Sequence, residues 1–120
     1  MKSFVQKLTS NITILLLILI TSISTASAKI KVVSTFSILG DMVQNIGGDE
    51  IELTTLVGPN GDGHVYEPTP ADAKSIANAD LVFINGLGFE GWIDRLVKAS
   101  GYKGKVIIAT KGIKDLKFEG

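Results

Sequence analysis

The chain has 120 residues, with twelve basic and twelve acidic side chains, one histidine and no cysteine. That balance leaves no electrostatic footprint for nucleic acid or an anionic membrane surface. The missing cysteines exclude disulfides, a thiolate metal site and a cysteine nucleophile.

Residues 1–28 read as a cleavable export signal. Lys2 and Lys7 form a positive start, Ile14-Leu15-Leu16-Leu17-Ile18-Leu19-Ile20 a short apolar run, and Ala26-Ser27-Ala28 a small-residue cleavage site. The run is shorter than the ~20 residues that a membrane span needs, so no span is expected after cleavage. The expected product, residues 29–120, is long enough for one domain with a single core. It carries ten basic against twelve acidic residues. With no cysteine at the cleavage point, the expectation is a periplasmic protein that is not lipid-anchored there.

Strands and helices then alternate. Ile30-Lys31-Val32-Val33 predicts a strand, and Ile38, Leu39, Met42, Val43 and Ile46 recur at helical spacing until Gly47-Gly48. Ile51–Val57 predicts a second strand, followed by a loop that holds all three prolines. Thr69-Pro70-Ala71-Asp72 carries a helix start: Thr at the N-cap, Pro at the first turn and Asp three residues on. Ala73, Ile76 and Ala77 should face the sheet. Leu81-Val82-Phe83-Ile84 is a continuous apolar run, as in a strand buried on both faces. Trp92, Ile93, Leu96 and Val97 mark a helix ending near Gly101, and Val106-Ile107-Ile108-Ala109 a fourth strand. This rhythm predicts an α/β fold: a parallel sheet of about four strands with flanking helices. From Lys111 to Gly120 neither a helix nor a cap is legible.

The loop Gly58-Pro59-Asn60-Gly61-Asp62-Gly63-His64-Val65-Tyr66-Glu67-Pro68-Thr69-Pro70 contains the single imidazole. Proline fixes φ and lowers the entropy of the unfolded loop, so this segment should hold one shape. In open parallel sheets ligands bind beyond the carboxyl ends of the strands. His64 follows the second strand and Asn85–Gly91 the third, so both belong on that edge. A lone histidine is more often a satisfied surface or core residue; its rigid loop at the ligand edge favours a site. Glu67 cannot share a helical face with His64 because Pro68 follows it. Glu67 is therefore expected to orient the imidazole or brace the loop, and Asp62 to brace a glycine turn. One imidazole does not make a zinc site, which normally takes four ligands.

Other patterns carry less. Gly86-Leu87-Gly88-Phe89-Glu90-Gly91 matches the dinucleotide fingerprint, but on the third strand. The next strand also ends in Ala109-Thr110-Lys111 where a ribose-binding acid is expected. There is no G-x-S-x-G, and His64 has no evident serine nucleophile to activate, so no hydrolytic constellation is predicted. Asp49-Glu50 should be solvated and Trp92 should be core.

Taken in order, Val33-Ser34-Thr35-Phe36-Ser37-Ile38-Leu39-Gly40-Asp41, Leu56-Val57-Gly58-Pro59, His64-Val65-Tyr66-Glu67-Pro68-Thr69-Pro70-Ala71-Asp72 and Asn85-Gly86-Leu87-Gly88-Phe89-Glu90 resemble one family. It is the zinc/manganese solute-binding family of bacterial ABC metal importers, and the resemblance spans nearly all of residues 29–120. The resemblance implies a two-lobed protein with the metal held between lobes, this chain matching the N-terminal metal-binding lobe. It implies capture of a divalent transition metal, Zn2+ or Mn2+ with zinc favoured, for a cognate ABC permease in the inner membrane. His64 matches the family's first metal ligand, and Asp62, Tyr66, Glu67 and Asn85 would shape its surroundings. The other ligands would follow residue 120, so the pattern is that of a chain truncated before the connecting helix. An adhesion role, which the family also includes, and a non-functional fragment are the alternatives.

Overall fold

A computed structural model describes residues 1–20 and 27–117. Helix α1 spans Lys2–Ile20. No helix among the described residues is long and apolar enough to cross a membrane. Ala26 of the expected cleavage site and residues 118–120 lie outside the described residues.

The α/β domain follows, with β1 (Ile30–Phe36), α2 (Ser37–Gly47), β2 (Ile51–Val57), α3 (Pro70–Ala77), β3 (Leu81–Ile84), α4 (Ile93–Ser100) and β4 (Lys105–Ile108). The four strands form one sheet in the order β2-β1-β3-β4, and every pair is parallel. The expected fold class is therefore the observed one.

Two apolar layers hold it. Val33, Val57, Ile76, Val82, Ile84, Trp92, Ile93 and Leu96 form the larger, on the face covered by α3 and α4. Val32, Leu39 and Val43 form the smaller, under α2. Adjacent Val32 and Val33 join opposite layers because strand side chains alternate between faces. The same alternation explains β3: Val82 and Ile84 are buried in the larger layer, and Leu81 and Phe83 pack against the smaller one.

Helix α2 buries less than its spacing promised. Leu39 and Val43 reach the core, whereas Ile38, Met42 and Ile46 are exposed on the neighbouring stripe. Gly40 sits between the hydroxyls of Ser34 and Thr55, where a side chain would meet both below 3 Å, so the helix lies close on the sheet. Ala77 also departs from expectation and is exposed, because the buried line of α3 runs through Ala73 and Ile76.

Helix α3 begins as its sequence dictates. The Thr69 side chain accepts from the Asp72 backbone N–H at 3.3 Å, and the Thr69 N–H donates to the Asp72 carboxylate at 2.7 Å. This reciprocal box satisfies two amides that the first helical turn would leave free. Thr69→Ala should cost about 1 kcal/mol, read as a lower urea midpoint at unchanged slope. At the other end of the domain, α4 stops at Gly101, whose φ of 70° is left-handed and comfortable only for glycine.

Candidate metal-binding edge

The connections place a switch point in the sheet. The chain leaves β1 through α2 to reach β2 on one side, then returns through α3 to reach β3 on the other. The connections that leave the carboxyl ends of the paired strands β1 and β3 run to opposite faces of the sheet, α2 to one and α4 to the other, and such a point is where open α/β sheets hold ligands.

The loop after β2 folds across this point. His64 packs its ring against Phe89 of the β3–α4 loop, with centroids 4.3 Å apart and planes at 62°. Phe89 in turn packs on Phe36, the last residue of β1, at 4.9 Å. The two segments placed on one edge from the sequence thus meet.

Three anchors fix the loop. The Trp92 indole N–H donates to the Gly63 carbonyl at 2.6 Å, from a side chain only 4% exposed. Gly63 is buried under the Phe89 ring, and a Cβ there would approach it to 2.6 Å. The Tyr66 hydroxyl donates to Asp72 at 2.9 Å while its ring packs on Trp92 at 5.1 Å. Burial pushes the Tyr66 phenol above its ordinary value, helped by its hydrogen bond to Asp72 and that carboxylate's charge. The phenol therefore stays a donor throughout the neutral range.

His64 itself is well exposed, at 62% of its side chain. Asp62 accepts from the His64 backbone N–H at 2.9 Å, which is the turn-bracing contact expected of it. The same carboxylate oxygen lies 3.3 Å from His64 Nδ1. Glu67 is exposed and makes no hydrogen bond among the described residues, so Asp62 is the carboxylate beside the imidazole. Asn85 bonds through its backbone: its carbonyl accepts from the Thr110 hydroxyl and N–H, and its side chain donates to the Gly86 carbonyl at 3.1 Å.

Glu90 is the acidic residue that sequence reasoning passed over as part of a motif. It is 4% exposed, and its carboxylate accepts from the Thr35 hydroxyl at 2.5 Å and from the Asn85 and Gly86 amides at 2.6 and 3.1 Å. Those amides are ones that a dinucleotide loop would offer to a pyrophosphate, so the fingerprint-like glycines here serve an internal carboxylate. Asp49 and Glu50 are exposed and Trp92 is core, as expected. Among the described residues no three His, Cys, Asp or Glu side chains converge as a metal cluster.

An open parallel sheet with a braced, outward-facing imidazole over its switch point has the layout in which open α/β sheets can take a ligand. The pattern of the family described as "Zinc-uptake complex component A periplasmic" matches residues 32–120, and the chain belongs to that family. The manganese ABC transporter substrate-binding lipoprotein PsaA of Streptococcus pneumoniae is 42% identical over 106 residues, covering 83% of this chain and 34% of its own. The metal ABC transporter substrate-binding lipoprotein FimA of Streptococcus parasanguinis is 49% identical over 81 residues, covering 64% and 26%. The solved Mn-bound periplasmic metal binding protein from Candidatus Liberibacter asiaticus superposes with a TM-score of 0.68 at 42% identity, over 73% of this chain and 33% of that one. The chain thus spans about a quarter to a third of the length of these relatives. The family is one of transporter substrate-binding proteins, not of enzymes.

One expectation is corrected by these relatives. The lack of a cysteine predicts no lipid anchor at the cleavage point, whereas PsaA and FimA are both named lipoproteins. That reading leaned on a single negative, the lack of cysteine, and does not stand.

Proposed function

We propose that this chain is a lobe of a metal receptor that captures a divalent transition metal and delivers it to a cognate ABC permease in the membrane. The observation that carries the reading is the imidazole of His64, exposed at the ligand edge with Nδ1 turned to Asp62. With the Nδ1 proton donated to that carboxylate, Nε2 keeps its lone pair and points the ring at one donor position. Asp62 orients the ring, while Tyr66 and Asn85 hold the two loops that meet there. Glu67 remains a surface residue of the loop in this reading.

His64 supplies one donor, and the rest of the coordination sphere comes from outside the described residues. Of the two candidate cargoes, manganese is now the better supported: PsaA is named for it, and the superposed solved structure holds it. The zinc of the family description keeps zinc as the second cargo. Nothing in the geometry favours the adhesion alternative over capture of metal. Residues 1–28 are proposed to be the export signal.

Titration of the full chain with Mn2+ and Zn2+, read at the signals of the His64 imidazole and the amides around it and suited to the weak affinity of a single donor, tests this reading. His64→Ala should weaken binding of the preferred metal by about 10-fold or more, the scale of losing a group that holds or orients a metal. Equal binding by wild type and His64→Ala would remove His64 from the site.

A further inference from the structure

We propose that Glu90 is the positioning residue that sets the His64 imidazole, acting through Phe89. The inference rests on the metal-capture reading above and extends it to a residue that touches no metal.

Burying a carboxylate is costly unless donors surround it. Glu90 is the only acidic residue buried among the described residues, and three donors converge on it. They come from two places. Thr35 stands near the end of β1, while Asn85 and Gly86 follow β3, so the carboxylate ties together the ends of two neighbouring strands whose connections leave to opposite faces of the sheet. A turn alone would need no such bridge.

What the bridge fixes is its neighbour in sequence. The Phe89 N–H closes the turn onto the Gly86 carbonyl at 3.1 Å, and its ring wedges between Phe36, Gly63 and His64. Asp62 belongs to the same loop as His64 and moves with it. Phe89 is the ring contact to the imidazole from outside that loop, so it sets where His64 sits relative to the sheet. Glu90 decides where Phe89 sits.

Glu90→Gln keeps the shape and loses one acceptor. An amide NH2 then faces a donor, either Gly86 N–H or the Thr35 and Asn85 pair, and the bridge opens. Because the chain has one histidine, its imidazole gives a single set of NMR signals. In the metal-free full chain those signals should show the ring-current displacement and cross-relaxation expected of a neighbour at 4.3 Å. Glu90→Gln should abolish the cross-relaxation, move the shifts towards those of Phe89→Leu, and lower the affinity of His64 for Mn2+ by roughly 10-fold. Far-ultraviolet circular dichroism should stay near wild type.

Unchanged His64 signals in Glu90→Gln would overturn the proposal, as would an affinity loss with the ring signals unmoved. Should Glu90→Gln fail to fold, Phe89→Leu decides: it leaves the carboxylate bridge intact, and wild-type Mn2+ affinity in that variant would also overturn the proposal. Failure of the metal reading shows separately, as Mn2+ that leaves His64 untouched in the wild type; the ring signals then still decide the positioning role.

Discussion

Trp92→Ala is expected to cost about 3–5 kcal/mol of stability, a large part of what a small domain has. The indole is 4% exposed and belongs to the larger apolar layer, so its loss opens a cavity between α4 and the sheet. It also strands the Gly63 carbonyl, which the indole N–H satisfies from inside the protein. Trp92→Phe separates the two effects, keeping most of the burial and removing the donor. It should cost about 1–3 kcal/mol, the penalty of one orphaned buried group. Both are measured by urea unfolding followed at 222 nm, since the variants lack the chain's one tryptophan. A Trp92→Phe cost near zero would mean that the Gly63 carbonyl finds water, and that the indole does not hold the His64 loop.

Gly86→Ala should be the next most damaging change, at about 2–4 kcal/mol from combined backbone strain and overpacking. Its φ is 85°, a region that residues with a Cβ avoid. A Cβ there would also lie 2.5 Å from Ile108 Cγ2 and 2.9 Å from Thr110 Oγ1, at the edge strand. Either relief, turning the peptide or pushing β4 aside, pulls the Gly86 amide off Glu90. Loss of stability should therefore come with disturbance of the His64 signals. Thermal unfolding together with a one-dimensional proton spectrum reads both, and a loss below about 1 kcal/mol would contradict the account of this turn.

The parts of this molecule that were legible in its sequence are those set by near neighbours. The Thr69–Asp72 box is written within four residues, and the apolar run 81–84 needs only its own composition to announce a buried strand. Placement of His64 beside the β3–α4 loop also followed, because strand–helix alternation puts both loops on one edge. What stayed hidden depends on distant partners. Thr35 lies 55 residues from Glu90, and the other two donors to that carboxylate are backbone amides that any residue would offer. A regular expression therefore sees glycines where the structure uses the acid. The exposed stripe of Ile38, Met42 and Ile46 was unreadable for a related reason: helical spacing shows that an apolar face exists, not how much of it the sheet covers. The imidazole's carboxylate partner was likewise a choice between Asp62 and Glu67 that only loop geometry makes.

The central claim is that His64 takes a metal ion at the switch-point edge. A titration of the full chain with sub-stoichiometric Mn2+, watched by NMR, tests it most directly, because the paramagnetic ion broadens only signals near where it resides. The His64 imidazole and the amides of residues 62–66 should broaden first, with Phe89 close behind, and His64→Ala should abolish the effect. Broadening that centres instead on exposed acids such as Asp49 and Glu50, and survives His64→Ala, would contradict that claim.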